Sequence, residues 1–189
     1  HNPEFTMLEW YRLGFDDQQL MQEVAELVAL VLGPDAVQTV TYQQLVGDIS
    51  GRGDVQRSEL DLRFAEACEK LQPGRFFVVD YPADQAALAR LRPDNPSVAA
   101  RFELVIDGIE IANGYWELLD PTEHERRFAA DRARRKALGR TDVEPDRPFL
   151  TALRRGLPNC AGVALGVDRL LMLAQNADRL DEVLQRPEP

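Results

Sequence analysis

Residues 101–118 read RFELVIDGIEIANGYWEL, and the fold turns on this stretch. Asp107-Gly108 is a strong two-residue hairpin signal, because the tight turn needs positive φ at its centre. In that register Val105 faces Glu110 and Glu103 faces Ala112. Phe102, Leu104, Ile106, Ile109 and Ile111 then share one apolar face. Glu103 and Glu110 share the other, as diagonal neighbours about 7–8 Å apart. Past Ile111 the alternation slips by one residue. Asn113, Tyr115 and Glu117 become the polar positions, and Trp116 and Leu118 the apolar ones. A one-residue bulge near residues 112–114 removes the slip. It puts Glu103, Glu110, Asn113, Tyr115 and Glu117 on one face.

Outward from the hairpin, helical and strand signals mix. Residues 4–11 alternate as a strand, with Phe5, Met7, Glu9 and Tyr11 on one side. Residues 17–32 carry Leu20, Val24, Leu27 and Val31 on one helical stripe, with Asp16 or Asp17 as cap and Gly33-Pro34 as stop. Residues 47–57 read as a loop. A helix follows from Ser58, capped by Ser58 with Asp61, burying Leu60, Phe64, Cys68 and Leu71. Residues 75–80 read as a buried strand, and residues 81–96 as a loop over a sheet edge. Residues 120–138 form a charged helix with Asp120 as cap, Pro121 in its first turn and Gly139 past its end. A short helix at 149–155, a small-residue strand at 162–167, a buried helix at 168–174 and a partly helical tail complete the chain. The pattern predicts an α+β fold: an antiparallel sheet flanked by helices.

Composition narrows the function. The chain has 189 residues, is 44% apolar and carries a net charge of −10. It is too apolar for disorder, and its longest uncharged apolar run, residues 27–34, falls far short of the roughly 20 residues that span a bilayer. No membrane partner is expected. Its two cysteines, Cys68 and Cys160, make no disulfide framework, which points to a reducing cytoplasm. The acidic balance speaks against a phosphate-gripping nucleic-acid surface.

Three groups of residues carry chemistry. Glu103, Glu110 and Glu117 on one face repel one another unless a cation intervenes. Glu103 and Glu110 are spaced to share a hard cation such as Mg²⁺; the competing reading is a solvated face with arginine partners. Glu9 and Tyr11 suit an ammonium group, or are ordinary polar residues of an edge strand. In residues 162–169, Gly162, Ala164 and Gly166 allow close approach, and Arg169 enters at a helix start suited to phosphate; tight packing with Arg169 in a surface ion pair is the alternative. His124 and the arginines at 126–136 read as a solvated helix face, and both cysteines as small core residues.

Together these segments resemble class II lysyl-tRNA synthetases. Residues 1–11 (HNPEFTMLEWY) resemble the second half of motif 2, Glu103 through Leu118 the ATP and lysine segment, and residues 162–173 motif 3. Within that family the chain is most similar to the elongation factor P–lysine lysyltransferases, paralogs that modify a protein in place of tRNA. The short distance from His1 to Arg169, the stretch at 82–88, and Ala164 where tRNA-charging enzymes usually carry Gly favour this subfamily.

The resemblance implies a function. ATP and lysine or (R)-β-lysine would form an aminoacyl-adenylate, and the acyl group would pass to a lysine of elongation factor P. Phe5 would stack on adenine, with His1 and Asn2 near the phosphates and Gly166 in the ATP site. Glu103 and Glu110 would hold Mg²⁺, and Arg169 would stabilise the leaving pyrophosphate as the catalytic residue. Glu9, Tyr11, Asn113, Tyr115, Glu117 and Ala164 would form the amino-acid pocket. Motif 1 and the rest of motif 2 would precede His1. Residues 1–189 are therefore expected to be the C-terminal part of one catalytic domain, inactive alone, with the full-length protein a homodimer. The alternatives are the catalytic part of a lysyl-tRNA synthetase, with tRNA as partner, and a non-catalytic binding paralog.

Overall fold

A computed structural model describes residues 4–47 and 57–184. In chain order the elements are β1 (Met7–Leu13), α1 (Asp17–Leu32), β2 (Val37–Thr41), α2 (Tyr42–Val46), α3 (Arg57–Glu69), β3 (Arg75–Pro82), β4 (Val98–Ile106), β5 (Ile109–Trp116), α4 (Pro121–Ala137), α5 (Arg147–Arg154), β6 (Cys160–Gly166) and α6 (Val167–Ala174). The strands form one sheet in the order β1-β6-β5-β4-β3-β2. Every neighbouring pair is antiparallel except β2 with β3. This is the α+β architecture that the hairpin and its flanking helices predict.

The hairpin sets the registers that build the site. Asp107 and Gly108 both adopt positive φ, and Ile106 pairs with Ile109 and Val105 with Glu110. The ladder then shifts, so that Leu104 pairs with Ala112 and Glu103 with Asn113. The bulge exists, but it falls between Glu110 and Ala112, earlier than expected, and the ladder through Gly114 is regular. The early position sends two consecutive residues to the core: Ile111 and Ala112 are both 2% exposed, with Ala112 facing Leu104. Glu103 therefore faces Asn113, not Ala112.

The two sheet faces are used differently. One carries the main core, where Leu20, Val24 and Val28 of α1 and Leu170 of α6 pack on Phe102, Leu104, Ile111, Val163 and Leu165. Gly114 belongs to this face because the Phe102 ring occupies the place of its missing side chain. On the opposite face, Tyr42 of α2 and Cys68 of α3 cover Val78, Tyr81 and Val105, with Phe64 and Leu71 packed alongside. These helices cover the half built by β3 and β4. The half built by β1, β6 and β5 is left for a cavity.

Several sequence expectations need correction. The α1 stripe runs Leu20, Val24, Val28, with Leu27 and Leu32 packed alongside; Val31 is exposed, because Leu32, four residues past Val28, takes the core-facing place in the last turn. Asp16 caps this helix through Gln19, while Asp17 is buried against Arg92 (2.7 Å). The first strand lies at Met7–Leu13, not 4–11. β2 and α2 were not foreseen, although Thr41 and Gln44 form a capping box whose sequence signature is plain. α3 begins at Arg57, so Ser58 lies inside it.

Residues 83–97 do not cover an edge strand: Ala89 bridges to Glu117 and Leu91 to Ala99. His124 is not solvated. It is 1% exposed, flanked by the Phe128 and Phe149 rings, with Nε2 donating to the Leu118 carbonyl (2.8 Å). The arginines of α4 are largely engaged: Arg126 and Arg127 pair with Glu123, and Arg132 with Asp142 and Glu144.

Candidate functional site

The strand registers lay functional side chains in rows across the open half of the sheet. Glu9 of β1 pairs with Ala164 of β6, Ala164 with Asn113 of β5, and Asn113 with Glu103 of β4. Two residues further along each strand, the next row is Tyr11, Gly162, Tyr115 and Arg101. Partners across a pleated sheet point to the same face. A residue's place in these rows therefore follows from backbone hydrogen bonding alone.

A cavity of about 490 Å³ sits on these rows. Its lining includes Phe5, Glu9, Tyr11, Glu110, Asn113, Tyr115, Glu117, Gly162, Ala164, Gly166 and Arg169. All eleven are residues that the sequence singled out. Glu4, Thr6, Met7, Asp168 and Leu180 also line it. Asp168 anchors the backbone here. Its carboxylate accepts from Thr6 N (2.7 Å), and Val167 N donates to Thr6 O (3.0 Å), which ties the entry of β1 to the start of α6. His1 and Asn2 lie outside the described residues.

One end of the cavity suits phosphate. Arg169 projects from the first turn of α6, and its Nη1 donates to the Glu110 carbonyl (2.6 Å) and lies 3.5 Å from the Glu110 carboxylate. Phe5 is 66% exposed and borders the same end.

Glu103 departs from expectation. It shares the face but does not line the cavity. Arg101 Nη2 donates to it at 2.6 Å, and Asn113 Nδ2 reaches the same oxygen at 3.4 Å. The Arg101 guanidinium in turn lies 4.2 Å over the Tyr81 ring. The arginine partner of the competing reading is therefore present. Burial first, and then Glu110, still push the Glu103 carboxyl above the usual carboxylate range.

These residues fit a hard cation. The donors are all oxygen, Glu110 opens to the cavity, and the mutual repulsion of Glu110 and Glu103 is the strain a divalent ion relieves. Among the described residues no group of three or more His, Cys, Asp or Glu side chains converges as a cage. The match is to an ion held by two carboxylates with substrate phosphates completing its shell.

The other end is acidic and aromatic. Glu117 is 8% exposed, and burial pushes its carboxyl up to about 7, against the pull of Arg90. Tyr11 and Glu117 meet across Gly162. A Cβ on that glycine would lie 2.5 Å from Tyr11 Cε1 and 2.6 Å from Glu117 Oε1. Gly162 therefore provides the space into which both side chains lean. Burial raises the Tyr11 phenol, and the nearby Glu117 and Glu9 charges raise it further. Burial likewise raises Tyr115. A half-enclosed pocket whose charged groups at this end are carboxylates, beside neutral phenols, favours a ligand cation.

The sequence reading missed Arg90 and Arg101. Arg101 was legible, two residues before Glu103 on the same strand face. Arg90 was not, since residues 83–97 carry no periodic signal.

The sequence matches the family of class II tRNA synthetases (D, K and N) over residues 1–188. It is 43% identical to the elongation factor P--(R)-beta-lysine ligase of Vibrio cholerae across the whole chain, and 43% identical to that of Vibrio parahaemolyticus. The protein of the same name from Pectobacterium carotovorum is 41% identical over 97% of the chain. The chain spans about two thirds of the length of these relatives, 67% of the first two and 65% of the third. Among the described residues no helix is long and apolar enough to cross a membrane. With its match running from end to end, the chain belongs to the class II tRNA synthetase (D, K and N) family, together with the elongation factor P--(R)-beta-lysine ligases that it resembles along its whole length.

Proposed function

We propose that this protein activates lysine or (R)-β-lysine with ATP as an aminoacyl-adenylate and transfers the acyl group to a lysine side chain of elongation factor P. The names of the relatives support the acceptor, and family membership supports the adenylate chemistry. The observation that carries the reading is Glu117: a carboxylate buried on the cavity floor beside Glu9, Tyr11, Asn113 and Tyr115, where an ammonium group would satisfy it.

In this reading the amino-acid carboxylate attacks the α-phosphorus of ATP, and pyrophosphate leaves. The acceptor's ε-amine then attacks the acyl carbonyl, and AMP leaves. The reacting groups belong to the substrates, so the enzyme contributes positioning and charge, not a nucleophile. Phe5 stacks on the adenine, with His1 and Asn2 near the phosphates. Arg169, beside Gly166, stabilises the charge on the leaving pyrophosphate. Glu103 and Glu110 would hold Mg²⁺, which supplies charge neutralisation at the phosphates when bound. Ala164 sits between Glu9 and Asn113 in the row beneath the substrate and shapes its fit.

The test gives full-length protein ATP and α-lysine or (R)-β-lysine, with elongation factor P or tRNA as acceptor. A lysyl mass increase on elongation factor P is expected. Charging of tRNA without modification of the protein overturns the acceptor assignment. Absence of amino-acid-dependent ATP–pyrophosphate exchange overturns the enzymatic reading and leaves a binding paralog.

A further inference from the structure

Arg90 is held behind the amino-acid pocket, outside its lining. Residues 88–90 lie alongside residues 116–118 through an isolated bridge between Ala89 and Glu117. Arg90 N donates to the Trp116 carbonyl (2.9 Å), Leu118 N to the Leu88 carbonyl (2.9 Å) and Ala100 N to the Arg90 carbonyl (2.9 Å). From α4, Arg127 Nη1 donates to the Ala87 and Ala89 carbonyls at 2.8 and 2.7 Å, pinning the same segment.

The Arg90 side chain is fixed on three sides. Its guanidinium lies 4.0 Å over the Trp116 ring, Nε donates to the Glu117 carbonyl (3.0 Å), and Nη2 donates to Asn159 Oδ1 (2.8 Å). Trp116 Nε1 donates to that same Asn159 oxygen (3.1 Å), which closes the frame. These acceptors are all neutral. Among the described residues, neither Arg90 nor Glu117 belongs to an ion pair.

We infer that Arg90 is a positioning residue for substrate specificity: locked behind Glu117, it supplies the counter-charge that lets Glu117 stand on the cavity floor as a carboxylate, ready for an ammonium group. This rests on reading the cavity as an amino-acid pocket. Arg90 acts through Glu117 and touches no substrate.

The surrounding charges agree. Tyr11 from β1, Cys160 from β6 and Tyr115 at the end of β5, two residues before Glu117, face this group, and burial raises all three above their ordinary values, so they are neutral near pH 7. Glu9 adds a further negative charge near Tyr11. Arg90 is the charged group that opposes burial at Glu117.

The experiment uses full-length protein and compares wild type with Arg90→Met, Arg90→Lys and Asn159→Asp. Met keeps an apolar stem on Trp116 and removes the charge. Lys keeps the charge. Asp at position 159 neutralises Arg90 without truncating it, which keeps the test open if Arg90→Met does not fold. KM for lysine and KM for ATP are measured in pyrophosphate exchange from about pH 6 to about pH 9.

A carboxylate half-ionised at pH 7 that moves up by about one pH unit loses about five-fold in its ionised fraction. The expected result is therefore a roughly five-fold higher KM for lysine at pH 7 in Arg90→Met and Asn159→Asp. The difference closes toward pH 9, KM for ATP does not change, and Arg90→Lys stays near wild type. A KM for lysine that is unchanged, or raised equally at every pH, overturns the inference, and so does an Arg90→Lys variant that behaves like Arg90→Met. If wild type itself shows no lysine-dependent exchange, the underlying amino-acid reading fails instead.

Discussion

Replacing Glu117 by Gln sets stability against function in one side chain. In the unfolded chain this carboxyl titrates near 4.5; in the folded protein burial holds it up to about 7. Folding therefore disfavours its charged form. Below the lower value the group is neutral in both states and exacts no penalty. As pH rises from the lower value to the upper one, the unfolded chain releases its proton first, and folding stability falls. The gap of about 2.5 pH units, at about 1.36 kcal/mol each, sets a limit of about 3 kcal/mol at pH 8.

Gln keeps the shape and removes the charge, but its amide needs hydrogen bonds that the site supplies incompletely, offsetting about 1 kcal/mol. A net stabilisation of about 2 kcal/mol is expected at pH 8, turning into a net cost of about 1 kcal/mol below about pH 4.5, where only the amide offset remains. Urea unfolding of both proteins at several pH values reads this directly, and lysine titration should show weakened binding in the variant. A stability difference that does not depend on pH, or a variant less stable than wild type at pH 8, refutes the reasoning.

Gly162→Ala drives a methyl group against Tyr11 and Glu117. It should raise KM for lysine several-fold and cost about 1–3 kcal/mol, measured by exchange kinetics and urea unfolding. Gly114→Ala pushes into the Phe102 ring on the opposite face; it should cost about 3 kcal/mol in urea unfolding. Asp17→Ala breaks the buried pair with Arg92, leaving that cation to Asp80. Thermal or urea unfolding should show a loss of about 3–5 kcal/mol. Glu110→Gln should raise the Mg²⁺ concentration needed for half-maximal exchange and leave unfolding by urea nearly unchanged, since Glu110 is exposed.

Much of the site was legible because period-2 alternation is local. Once Asp107-Gly108 is taken as a turn and one bulge is allowed to absorb the slip in alternation, Glu110, Asn113, Tyr115 and Glu117 fall on one face. The bulge was legible as a mismatch in that alternation, but not its position. Ile111 and Ala112 both enter the core, and seeing that needs the partners on α1 and α6. His124 was misread for a related reason. A charged helix looks solvated in one dimension, while Phe128 and Phe149 converge on its one buried histidine only after α4 packs on α5.

By itself the sequence determined most of the strands and helices, and the chemical character of the strand faces around the hairpin, because caps, turns and side-chain periodicity act between residues a few positions apart. The tertiary structure decided what those faces meet. It brought Glu9 and Tyr11 into register with Ala164 and Gly162, more than 150 residues away along the chain. It gave Glu103 an arginine partner outside the cavity, and it set Arg90, from a segment with no pattern, behind Glu117. Desolvation and counter-charge depend on burial and proximity, and those exist only once the sheet has closed and its helices have covered one half of the face.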